Sequence, residues 1–107
     1  SEDDHSFNVA VGARALETLN AGAHGYNTAV GYVAGTAMTT GVQNTIVGGQ
    51  AGDALTTGSY NTAVGYLALS TEDAHGYNTA IGREATKSVE NNTTGNNNVA
   101  VGSKYYR

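Results

Sequence analysis

Three histidines, seven tyrosines and nine carboxylates carry most of the chemistry available to this chain of 107 residues. His24 and His75 hold the same place in two copies of the phrase "AHGYN". With repeats stacked about 4.8 Å apart, three units separate them by about 14 Å, too far to share a metal ion within one chain. Around a threefold axis each would meet its own copies. The plainer reading, which we take, is a solvated turn residue. His5 lies in the acidic opening "SEDDH" and reads as part of a flexible tail over residues 1–7. Asp53, Glu72, Asp73, Glu84 and Glu90 fall at different places in the repeat, so no carboxylate pair is set up for acid–base work. There is no cysteine to serve as nucleophile or thiolate ligand. The glycine-rich "GGQAGDALTTG" lacks the Lys-Ser/Thr ending of a phosphate-cradling loop. The sequence therefore predicts neither an enzyme, nor a cofactor, nor a metal site.

Tyrosine is more promising. Tyr26, Tyr60 and Tyr77 recur at one repeat position together with Phe7, interrupted by Gln43 and Asn97; Tyr32 and Tyr66 form a second, sparser column. An exposed tyrosine offers an apolar ring and a polar tip, a combination suited to sugars and protein surfaces. These five tyrosines are the candidate binding residues. Stacking between neighbouring repeats or subunits is the structural role that competes, and it is favoured. Tyr105 and Tyr106 are placed to plug the end of a stack.

The element that must position these side chains is a repeat. "N-[TV]-[AI]-[VI]-G" begins at Asn8, Asn27, Asn44, Asn61, Asn78 and Asn98, at spacings of 19, 17, 17, 17 and 20, and closes at Gly12, Gly31, Gly48, Gly65, Gly82 and Gly102. Periods of this length mark stacked architectures. An alanine follows four residues after the central Val or Ile (Ala15, Ala34, Ala51, Ala68, Ala85), and a larger apolar residue four further on (Leu19, Met38, Leu55, Val89). Frequent glycine and short β-branched runs oppose helix and favour strand. We therefore expect an all-β, parallel β-solenoid of five to six rungs over residues 8–107, with room in each unit for two short strands and two bends. The asparagines suit corners, where they tolerate left-handed backbone and can form a ladder. The glycines supply bends that a Cβ would obstruct. Thr28, Thr45, Thr62 and Thr79 share a face with Val30, Val47, Val64 and Ile81, expected to be dry because Val9 and Val99 replace threonine at the ends.

Composition bounds the partners. A formal charge of −4 with five basic residues argues against nucleic acid held through phosphates. No apolar run is long enough to insert in a membrane. Ten Val, five Leu, two Ile and one Phe supply only 18 larger aliphatic or phenyl side chains in 107 residues. A solenoid built on alanine, threonine and valine buries little apolar area per rung. With neither disulfide nor metal, self-association is the expected remedy.

"NTAVG", "NTAIG" and "NVAVG" resemble the head repeats of trimeric autotransporter adhesins (the YadA-like heads) and related repeats of phage tail fibres, over nearly the whole span from Asn8 to Gly102. The resemblance implies a left-handed β-roll, a homotrimer around a common axis and a part in attachment, placing the chain outside the cell on a virion or cell surface. It rests on the Asn, Val/Ile and Gly columns, and the unit here is longer than in the adhesin heads. The expected function is a structural and adhesive module binding a surface glycan or protein. The alternatives are a passive fibre spacer and an ice-binding solenoid. Thr39–Thr40, Thr56–Thr57 and Thr93–Thr94 bring the ice-binding reading to mind, but Ala23–His24 and Ala74–His75 interrupt those pairs.

Overall fold

In a computed structural model of the chain, the described residues are 7–20, 25–70, 74–85 and 97–103. Six strands, β1 (Val9–Val11), β2 (Thr28–Val30), β3 (Thr45–Val47), β4 (Thr62–Val64), β5 (Thr79–Ile81) and β6 (Val99–Val101), form one parallel sheet in chain order. Each strand is one copy of the repeated phrase. Register is strict: Thr28 pairs with Thr45, Thr45 with Thr62 and Thr62 with Thr79. The chain winds as a β-solenoid of about four turns, with no helix among the described residues. A parallel pair needs a long return connection, and here the rest of each rung provides it.

The interior lies between the sheet and that return segment. Ala29, Ile46, Ala63 and Ala80, the middle residues of β2 to β5, are completely buried, as are Ala34, Ala51 and Ala68 opposite them. Met38 and Leu55 are also fully buried, whereas Leu19 only packs against the cluster. Alanine brings the two layers close together, since nothing larger fits on both sides.

Rung-to-rung volume is balanced in a way the column reading overlooked. Leu16 and Leu69 are buried at a position where rungs 2 and 3 carry Gly35 and Gly52. Rung 3 has Ile46 where the other strands have alanine, and a Cβ on Gly52 would meet the Ile46 Cδ1 at 3.1 Å. Gly35 is covered from both sides, by Leu16 Cδ2 at 3.0 Å and Ile46 Cδ1 at 3.4 Å. Large side chains thus fill the space that glycines leave in their own or the next rung, as a close-packed interior requires.

Two expectations about the rung are corrected. The strands are three residues long, and the described return segments contain no second strand. Consecutive tight turns replace it. Ala34 N–H donates to Gly31 O at 3.2 Å and Thr36 N–H to Val33 O at 3.2 Å, with positive φ at Val33 (51°) and Gly35 (59°). Positive φ at every second residue breaks the pleat, so strand cannot form, yet hydrogen bonds between rungs persist: Val33 N–H donates to Ala13 O and Gly35 N–H to Ala51 O. The second correction concerns the corner asparagines. Left-handed backbone falls on the residue before each of them, at Phe7, Tyr26, Gln43, Tyr60, Tyr77 and Asn97, with φ between 41° and 67°.

Of the acidic tail, only Phe7 is described. His5, His24, Glu72, Asp73, Val89, Glu90, the Thr93–Thr94 pair, Tyr105 and Tyr106 lie outside the described residues.

Candidate functional site: the outward strand face and its tyrosine margins

Alternation across each strand sends the central residue inward and its two neighbours outward. The inward set is the alanine and Ile46 column. The outward set is Thr28 and Val30, Thr45 and Val47, Thr62 and Val64, Thr79 and Ile81, with Val9, Val11, Val99 and Val101 at the ends. None of these residues is charged. In a single chain this face is not dry. Its central rungs are half-buried, apart from exposed Thr45 and Ile81 at 40% exposure, and its end valines reach 73% exposure at Val99. The solenoid's own interior is the alanine side, because only that side is narrow enough for the return segment to close over it.

The asparagine column fixes the register of this face. Asn27, Asn44, Asn61 and Asn78 are buried, and each side-chain oxygen accepts the backbone N–H of the next asparagine in the stack. The side-chain amide of Asn44 donates to Gly58 O at 3.0 Å and to Asn27 Oδ1 at 3.1 Å. Asn8 and Asn98 are the half-buried ends of the ladder. A buried polar column is tolerated because its members satisfy one another. Asn78 Nδ2 is the exception, buried without a partner.

The glycines at the other end of each phrase also stack. Gly12, Gly31, Gly48, Gly65, Gly82 and Gly102 all have φ between 121° and 136°. At Gly48 a Cβ would stand 2.5 Å from Gly65 O, so both conformation and space exclude any other residue.

Tyrosines border the strand face on both sides. Tyr26, Tyr60 and Tyr77, all exposed, precede the asparagine corner. Their rings stack between rungs as the structural reading expected: Phe7 on Tyr26 at 5.4 Å and Tyr60 on Tyr77 at 4.9 Å, nearly parallel. Gln43 interrupts the column. Tyr32 and Tyr66 lie on the opposite border, beyond the glycine bend, at 59% and 46% exposure. Among the described residues no ring stacks on either. The Arg83 guanidinium carbon stands 5.8 Å from the Tyr66 ring centre, within cation–π range. Arg14 donates from Nε to Glu17 Oε1 at 2.7 Å. Its guanidinium is held in the charged form chiefly by that hydrogen bond and the Glu17 charge, with a smaller contribution from Tyr32.

His75 is half-buried, and its backbone carbonyl accepts from Asn61 Nδ2 at 3.2 Å. Among the described residues no three His, Cys, Asp or Glu side chains gather to hold a metal, and no helix is long and apolar enough to cross a membrane. Sequence reasoning located both tyrosine columns; it missed Arg83, which follows Gly82 as Tyr66 follows Gly65, and Arg14, which stands one place beyond that column and meets Tyr32 only through its side chain.

No family model matches the chain, and no curated protein or solved structure matches it significantly.

Proposed function

We propose that this chain is a structural and adhesive module of a fibre or adhesin. Copies associate through the outward Thr/Val face, and the assembly attaches to a surface glycan or protein. The observation that carries the reading is the face itself, an uncharged sheet of β-branched residues that stays wet in a lone chain. An uncharged face of this kind, half-buried in the middle and with exposed valines at both ends, is suited to be covered by another surface. A homotrimer is the assembly proposed, since it lets three chains close their faces around one axis and leaves the tyrosine margins outside. Shallow sites repeated on several flanks then add through effective concentration. This places the protein on a virion or cell surface. Sedimentation equilibrium at micromolar concentration tests the assembly, with a trimer expected and a stable monomer against it. A glycan and protein array on the purified oligomer tests attachment.

A second reading has support of its own. Thr28, Thr45, Thr62 and Thr79 form an outward ladder at one spacing of about 4.8 Å, beside a ladder of Val and Ile. A rigid, regular array of hydroxyl and methyl groups is the surface an ice-binding solenoid needs. The ladder that supports it is this one, not the corner pairs such as Thr39–Thr40. Thermal hysteresis from a monomer would favour this reading, and its absence would remove it.

A further inference from the structure

The two tyrosine borders differ in what is left for a ligand. On the asparagine side the rings are spent on one another, Phe7 on Tyr26 and Tyr60 on Tyr77. On the glycine side Tyr32 and Tyr66 stand in rungs 2 and 4, and the residue between them in rung 3 is Gly49. Two rungs span about 10 Å, close to the length of two pyranose units in an extended chain. A Cβ on Gly49 would find only Tyr66 Cδ1, at 3.6 Å, and φ at Gly49 is not in the left-handed region. Neither backbone nor space therefore requires glycine there, and with no side chain in rung 3 nothing but the edge of the Tyr66 ring stands between the two tyrosines in this column.

Polar groups flank the two tyrosines: Arg83 takes the tyrosine place in rung 5, and Arg14 stands one place beyond that column in rung 1 with its side chain near Tyr32. Arg14, in rung 1, is paired with Glu17 at 2.7 Å; Arg83, in rung 5, lies over Tyr66 and 3.6 Å from Glu84. Each guanidinium has its own carboxylate, so local charge cancels, while the two guanidinium groups and Glu17 stay exposed and Glu84 is largely covered. Such an array fits hydroxyl groups rather than phosphates, sulfates or carboxylates, and the net charge of −4 also disfavours a polyanion.

We propose that the column Tyr32–Gly49–Tyr66–Arg83, with Arg14 and Glu17 beside Tyr32, binds a linear, neutral glycan lying along the stacking axis, with one sugar ring against each tyrosine and hydroxyl groups taken up by the two guanidinium groups and the Glu17 carboxylate. This rests on the attachment reading above and names its ligand class and its site.

The test is isothermal titration of the intact oligomer with neutral linear hexasaccharides of glucose, xylose, mannose and N-acetylglucosamine, and with oligogalacturonate as the anionic probe. At least one neutral probe binds. Tyr32→Ala or Tyr66→Ala each weaken it by about tenfold, in line with loss of one aromatic platform. Tyr66→Phe keeps most of the binding, and Thr57→Ala, at an exposed corner, leaves it unchanged. Circular dichroism of each variant checks that the sheet is intact. Absence of binding by every neutral probe, preference for oligogalacturonate, or undiminished binding in the Tyr32→Ala/Tyr66→Ala double variant would each overturn the proposal. Sedimentation of the same samples separates the two readings: an oligomer that binds no glycan sinks only the site, whereas a stable monomer sinks the self-associating module itself.

Discussion

Asn44 Oδ1 accepts the backbone N–H of Asn61 at 2.8 Å, in a setting where both residues are sealed from water. The same bond recurs from rung to rung, so one side chain per rung carries the register of the whole stack. A slip by one residue would break the ladder and turn the alanines outward together.

Asn44→Ala strands the Asn61 N–H and the Gly58 carbonyl, which Asn44 now satisfies. Unpaired buried groups cost about 1–3 kcal/mol each, and the loss of stability should be about 3–5 kcal/mol in urea unfolding. Asn44→Asp is more informative. It keeps the acceptor but loses the donor, and places a carboxylate against the Asn27 and Gly58 oxygens. Burial and those oxygens raise its folded pKa above the unfolded value of about 3.9. The folded state then binds the extra proton, so stability is greatest below that unfolded value and falls as pH rises through the folded pKa. Unfolding curves between pH 3 and 8 check the sign.

Ile46 and Gly52 are matched in size. Ile46→Ala alone should cost about 2–5 kcal/mol as a cavity. Gly52→Leu alone should fail by overpacking, because its Cβ would already lie 3.1 Å from Ile46 Cδ1. Together they recreate rung 4, where Ala63 is paired with Leu69 at φ 57°. The double variant should recover most of the stability, a coupling that a double-mutant cycle measures.

Gln43 holds φ at 59° on an exposed corner, with no aromatic stack to repay it. Left-handed backbone costs a non-glycine residue about 1–2 kcal/mol. Gln43→Gly should therefore raise the thermal midpoint, whereas Tyr60→Gly, which also loses its stack on Tyr77, should gain less or lower it. Differential scanning calorimetry decides.

Much of this was legible in the repeat. The spacing of the Asn-to-Gly phrases located all six strands and their parallel order. Alternation separated Thr/Val from alanine, but not which side the chain would close upon; that depends on the return segment, whose turns demand the narrower face. The second strand expected in each rung does not form, because its apolar residues Val33, Leu67 and Leu69 sit at φ 51°, 62° and 57°. Stacked hydrogen bonds override their preference. The match of Ile46 with Gly52 spans the sheet and the return segment, and it shows only when the two are brought face to face across the interior. Tyr32 and Tyr66 were found from type and spacing; the arginines beside them were not, since each belongs to a different rung.

The most direct measurement is sedimentation equilibrium of the native chain and of Val47→Lys/Val64→Lys, which places charge in the middle of the outward face. The native chain should sediment as a trimer at micromolar concentration, and the variant should fall to monomer with loss of thermal stability. A native chain that remains a stable, β-rich monomer, or a variant that assembles as before, would contradict that assembly.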